Sequence, residues 1–201
     1  MRFDNLFLGG FTQMNQKRKL HVRDIILLAL IGILFGAIFI GTDFVYNALT
    51  AMLTPFGLAP MANDLMMGLW VMAGPLAGFM IRIPGTAFLG EFLASVGEMF
   101  FGGQWGAATL ISGVVQGIAT ELGFTITRYR YYNWITLTIT TITTTILTFG
   151  WDMLRNGYAK FDFQLLIILF VARLISTFIF GGVFVKIING LLSRAHVLAT
   201  R

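Results

Sequence analysis

The chain has 201 residues, of which 57% are apolar and 11% charged, with a net charge of +5 and no cysteine. A soluble domain carries about 25% charged residues, so too few polar side chains remain here to cover a water-facing surface, and a soluble enzyme is excluded. The basic balance does not point to nucleic acid, because the charges lie in short polar segments between apolar runs and form no aromatic-interleaved patch; the absence of cysteine excludes disulfides and thiolate chemistry.

A transmembrane helix needs about 20 mostly apolar residues, roughly 17 to 25. Six segments meet this, which predicts an all-α integral membrane protein of one domain, residues 1–201. A cytoplasmic segment, 1–21, ends in Lys17-Arg18-Lys19 and precedes span one at 22–44. A Pro-punctuated stretch at 48–60 leads to span two at 65–81. Span three, 84–101, starts at Pro84, where a missing N–H is harmless in a first turn. Spans four, five and six follow at 105–127, 133–151 and 163–185.

Span five contains eight threonines between residues 136 and 148. Their β-branching suits a strand, but an isolated strand cannot cross lipid with its backbone unpaired. A helix can, with each hydroxyl bonding a carbonyl one turn earlier or a neighbouring helix. Trp134 and Trp151 lie 17 residues apart, about 26 Å along a helix, which matches two interfacial aromatic belts.

With the N-terminus in the cytoplasm, eleven Lys and Arg fall inside (Arg2, Lys17, Arg18, Lys19, Arg23, Arg82, Arg128, Arg130, Lys186, Arg194 and Arg201) and two, Arg155 and Lys160, outside. This asymmetry predicts cytoplasmic N- and C-termini. The outer segments 46–64 and 152–162 are then the expected lids.

An ionisable residue within a span costs at least about 2.5–3.5 kcal/mol, so it faces a cavity or a partner. Glu91, Glu121 and Arg173 fall in the inner half or middle of spans three, four and six and are expected to form a structural ion pair. At the outer surface Asp64, Trp70, Glu98, Trp105, Trp151, Asp152 and Tyr158 converge, with Gln116 below them at mid-membrane. Carboxylates mixed with indoles and a phenol suit a flat, hydrogen-bonding ligand, which can be cationic: rings stack on its faces and favour positive charge, while carboxylates accept from its N–H groups. On span one, small residues including Gly32-x-x-x-Gly36 allow close approach of another helix, within the bundle or from a partner. A nucleotide-binding loop G-x-x-x-x-G-K-[ST] is absent from the sequence.

The stretches Gly68-Leu69-Trp70, Met80-Ile81-Arg82-Ile83-Pro84-Gly85, Glu91 through Glu98, Gly113-Val114-Val115-Gln116-Gly117, the surroundings of Glu121, Trp151-Asp152-Met153-Leu154 with Gly157-Tyr158, and Arg173-Leu174-Ile175-Ser176 resemble the substrate-binding S components of energy-coupling factor (ECF) transporters, in particular those of the thiamine/hydroxymethylpyrimidine, YkoE-like type. The resemblance runs from about residue 22 to 190. It implies a subunit of the bacterial cell membrane that captures thiamine or hydroxymethylpyrimidine outside and docks on a transmembrane coupling subunit and two cytoplasmic ATPases, which use the ATP; the chain itself needs no cofactor or metal and is not an enzyme. It also implies that the small-residue pattern of helix one contacts the coupling subunit, mapping here onto Ala29, Gly32, Gly36 and Ala37. On this reading the ligand's exocyclic amine pairs with Glu98, Trp70 and Trp151 stack on its rings, and a thiazolium favours Asp152 or Asp64. Two other classes compete: a self-sufficient permease, for which paired broken-helix repeats would be expected, and a membrane enzyme, for which no His lies deep enough to activate Ser95, Ser112 or Ser176.

Overall fold

A computed structural model describes residues 19–194. The first eighteen residues, with Arg2, Lys17 and Arg18, lie outside the described residues, as does Arg201. All regular structure described is helical: α1 (Val22–Leu53), α2 (Met61–Trp70), α3 (Ala73–Ile81), α4 (Thr86–Phe100), α5 (Ala108–Ile126), α6 (Trp134–Arg155), α7 (Phe163–Thr177) and α8 (Val185–Arg194). α2 with α3, and α7 with α8, form continuous columns, so six helical columns make the bundle. Four segments, Val22–Phe56, Met61–Ile81, Ala108–Ile126 and Phe163–Arg194, are long and apolar enough to span a membrane on length and composition. The other two columns are α4, with 15 residues, and the threonine-rich α6.

Several boundaries differ from the sequence reading, each for a local reason. α1 continues through Tyr46 to Leu53, so much of the predicted outer segment 46–64 is helix; it stops where Pro55 and Gly57, at φ 71°, close a turn. Span two is broken at Val71–Met72, because Pro75 has no N–H for the carbonyl of residue 71 and its ring crowds that carbonyl. Pro84 lies in the turn before α4, not in its first helical turn; Gly85, at φ 88°, is the N-cap. α6 runs on to Arg155, its start held by Asn133, whose Oδ1 accepts from the amides of Ile135 (3.1 Å) and Thr136 (3.3 Å) as an N-cap should. Between α7 and α8 the helix widens into a π-helical stretch, Phe178–Phe184.

The threonines of α6 do what a membrane helix asks of them. Thr141, Thr145 and Thr148 donate to carbonyls of their own helix at 2.7–2.8 Å. Thr143 reaches the carbonyl of Ala119 on α5 at 3.0 Å, and Thr145 meets Thr177 of α7 at 2.7 Å. The hydroxyl face is buried, while Ile135, Ile142 and Ile146 are exposed. α6 is thus polar toward its neighbours and aliphatic toward lipid.

The small residues of α1 differ in burial. Gly32 and Gly36 are buried against α4: a Cβ on Gly36 would sit 2.7 Å from the carbonyl carbon of Gly97 and 2.8 Å from the amide nitrogen of Glu98. These two glycines therefore serve an internal neighbour, which corrects their assignment to a partner contact. Ala29 and Ala37 are exposed. At the far end of the bundle, Glu121 accepts from the amides of Gly85 (2.6 Å) and Phe88 (3.0 Å) and from the Tyr129 hydroxyl (2.6 Å), satisfying the open N-terminus of α4. Burial, reinforced by the bond to Glu121, pushes the Tyr129 phenol up to about 12.

Candidate functional site

Arg173, fully buried on α7, gathers three elements around itself. Its Nε donates to Asp64 Oδ1 of α2 at 2.7 Å, and its Nη2 lies 2.6 Å from the same oxygen and 2.5 Å from Asp152 Oδ2 of α6. The Tyr158 hydroxyl donates to Asp64 Oδ2 at 3.0 Å, while burial raises that phenol's pKa and keeps it a donor. Asn63 and Asn156 donate to the two oxygens of Asp152 at 2.9 and 2.8 Å. The guanidinium carbon stands 5.0 Å from the Phe149 ring centre, within cation–π range. Every carboxylate oxygen in this cluster has a donor.

The ion pair expected of Glu91, Glu121 and Arg173 does not form. Arg173 belongs to Asp64 and Asp152, Glu121 caps α4, and Glu91 Oε2 accepts from the Gly74 amide at 2.7 Å. The last bond has a backbone cause: the break before α3 frees amides at its N-terminus, and a buried carboxylate takes one.

Beside the arginine cluster lies a cavity with an open mouth, lined by aromatic and polar side chains. α1 and α2 contribute Phe39, Asn63, Met67 and Trp70; α4 contributes Ser95 and Glu98; Trp105 precedes α5, which adds Thr109, Ser112 and Gln116; α6 and the residue after it supply Thr148, Trp151, Asp152, Arg155 and Asn156. Arg155, the one cationic side chain among these, donates to Ser112 Oγ at 2.7 Å. Glu98 is 3% exposed, and its Oε1 has no hydrogen-bond partner; the same holds for Trp151 Nε1. Behind Trp105, the carboxylate of Asp43 accepts the indole N–H at 3.1 Å. Tyr46 fills the space between Trp70 and Trp105, with ring centres 5.5 and 5.6 Å away. Three indoles, two carboxylates and three side-chain amides around one cleft can stack on a flat molecule and bond its edges.

The family described as the ABC-type cobalt transport system, permease component, matches residues 23–147. A protein of Bacillus subtilis (strain 168), named as an HMP/thiamine permease, YkoE, is 30% identical over 177 residues, covering 88% of this chain and 86% of its own. A crystal structure described as an S-component of an ECF transporter matches with a TM-score of 0.83 at 28% identity, over 90% of this chain and 89% of that one. The chain belongs to the YkoE-like family of ECF S components. It is therefore a multi-pass membrane protein of a transport family. Although the family description speaks of cobalt, no group of three or more His, Cys, Asp or Glu is placed to hold a metal ion among the described residues.

In this S component six of the eight predicted ligand residues, Trp70, Glu98, Trp105, Gln116, Trp151 and Asp152, line this cavity together. Asp64 and Tyr158 do not; both are buried and hold Arg173. Sequence reasoning weighed Ser95 and Ser112 only as nucleophiles and Arg155 only as an outer charge, and did not name Asn63, Thr109, Thr148 or Asn156 for the cavity, which all seven line. Helical periodicity carried a signal for most of them. Ser95 lies three residues before Glu98, Ser112 four before Gln116, and Thr148 and Arg155 three before and four after Trp151 and its turn, so each shares a face with a predicted residue.

Proposed function

We propose that this S component is the substrate-capturing subunit of an ATP-driven vitamin importer, taking thiamine or its hydroxymethylpyrimidine precursor from outside. The observation that carries the reading is Glu98, buried in the cavity wall with an unpartnered oxygen, in the same cavity as the indoles of Trp70 and Trp105. A buried acceptor without a donor costs free energy, and an aminopyrimidine or a thiazolium would relieve it. The name of the B. subtilis relative supports this substrate class.

The cavity end of the bundle carries Arg155 and Lys160, whereas Lys19, Arg23, Arg82, Arg128, Arg130, Lys186 and Arg194 lie toward the other end. By the positive-inside rule the cavity opens outward and both termini are cytoplasmic, in a bacterial cell membrane. Delivery inward is the task of a transmembrane coupling subunit and two ATPases, with the exposed Ala29–Ala37 face of α1 as the docking strip. Titration of the tryptophan fluorescence of the purified protein with thiamine and with hydroxymethylpyrimidine tests the capture step. Saturable quenching at submicromolar ligand is expected; silence toward both, with folded protein free of carried-over ligand, would refute the assignment.

A further inference from the structure

Among the described residues, every non-glycine side chain on a left-handed backbone sits at the end of the bundle opposite the cavity: Arg82 (φ 58°), Arg128 (φ 53°) and Tyr129 (φ 55°). Such a conformation costs free energy that glycine avoids, and it persists where the surroundings hold it, commonly at ligand-holding sites. Arg82 is the C-cap of α3, where glycine or asparagine is usual. Its Nε donates to the Phe79 carbonyl at 3.3 Å, and its guanidinium carbon stands 5.1 Å from the centre of the Tyr132 ring. Lys186, the second residue of α8, places its Nζ 5.6 Å from the Phe79 ring centre. The Phe79 and Tyr132 ring centres are 5.7 Å apart. Two cations from two columns are thus held over one pair of touching rings.

No carboxylate answers them. Among the described residues neither Arg82 nor Lys186 has an acidic side chain within ion-pair distance. Glu121, the carboxylate built into this end, is occupied by the amides of Gly85 and Phe88 and by the Tyr129 hydroxyl. Arg82 and Lys186 each follow directly on the predicted end of a span, at 81 and 185, which puts both at headgroup depth. On either side of Lys186, Phe184 and Ile187 are exposed and offer acyl chains an apolar surface. Basic positions between membrane helices fit an anionic headgroup, and a guanidinium suits a phosphate in particular. We propose that Arg82 and Lys186, held over Tyr132 and Phe79, form a docking site for the phosphate of an anionic lipid in the leaflet at this end. The site is remote from the cavity and independent of what the cavity captures.

The test is thermal unfolding of the purified full chain in detergent with added phosphatidylglycerol, with phosphatidylcholine at the same mole ratio, and with inorganic phosphate. Native mass spectrometry of the same samples reads which lipid stays bound. Phosphatidylglycerol is expected to raise Tm by several degrees more than phosphatidylcholine, as a ligand of the folded state does, and to persist as a bound adduct; inorganic phosphate should do neither. In the double variant Arg82→Gln/Lys186→Gln that excess is expected to fall by at least about half. In Arg130→Gln/Arg194→Gln, which removes the same charge from two exposed positions of the same end outside the site, it is expected to remain. Equal rises with the two lipids, or an equal rise with inorganic phosphate, would overturn the lipid site on the wild-type chain alone, whether or not a variant folds. Equal losses in the two double variants would also overturn it, because diffuse charge and not the ring-held pair would then attract the headgroup.

Discussion

Arg173 Nη2 stands 2.5 Å from Asp152 Oδ2, and Asp152 is also part of the cavity wall. The residue that locks α7 to α6 and a residue of the cavity wall are therefore neighbours, and the cavity's shape depends on a buried charge 21 positions along the chain from its partner.

Removing that charge leaves two carboxylates buried without compensation. Arg173→Met is expected to cost about 3–5 kcal/mol, a fall in Tm of at least about 6 °C for a chain of this length, measured by thermal unfolding in detergent. Replacing Asp64 and Asp152 by Asn in the same variant is expected to restore most of the loss, because the penalty comes from unpaired charge and not from missing volume.

The α1–α4 contact gives a contrast between two glycines of one helix. A Cβ on Gly36 would press into the backbone of Gly97 and Glu98, whereas one on Gly41 meets nothing within 4 Å. Gly36→Ala is expected to destabilise by about 1–3 kcal/mol through overpacking and to weaken ligand binding by displacing Glu98. Gly41→Ala should leave both unchanged or raise Tm slightly, since alanine favours a helix. Tm and Kd measured on the two variants decide it.

Ala37 is exposed on α1. Ala37→Leu is expected to leave the Kd of the isolated subunit within twofold of wild type but to cut ATP-dependent uptake by the assembled transporter severalfold. Uptake at the wild-type level would take the docking strip away from this face.

The α6–α7 hydroxyl pair is worth less than the arginine. Thr177→Val removes the 2.7 Å contact with Thr145 without changing side-chain shape, and Thr145 keeps its bond to the carbonyl of Thr141. An interhelical bond of this kind contributes about 0.6 kcal/mol, so Tm should fall by about 1–2 °C, well short of the Arg173 variant.

The helical columns were legible in the sequence because apolar length is dictated by the bilayer, and even the threonine-rich α6 could be read, since lipid forbids an unpaired strand. The convergence of Trp70, Glu98, Trp105 and Trp151 was legible too, as ionisable and aromatic residues at one membrane depth must meet across helices. What could not be read was which carboxylate each cation meets. From mid-span, the long side chain of Arg173 can reach inward toward Glu91 or outward toward Asp64 and Asp152; the choice depends on helix rotation and on the broken column at Val71–Met72, which spends Glu91 on the Gly74 amide. For Gly32 and Gly36 the motif left an internal neighbour or a partner open, and the assignment to a partner came from the resemblance; a small-residue motif announces a close approach without saying whether the approaching helix belongs to the same chain.

The arginine cluster also imposes an order of assembly. Asp64 and Asp152 lie on helices synthesised before α7, and Arg173 reaches mid-helix carrying a charge that costs at least about 2.5–3.5 kcal/mol in lipid until those carboxylates surround it. α7 therefore settles only into a socket that α2 and α6 have already formed. Seating of the final column thereby checks the earlier helices, and a chain with α2 or α6 misplaced is left with a stranded charge in the bilayer.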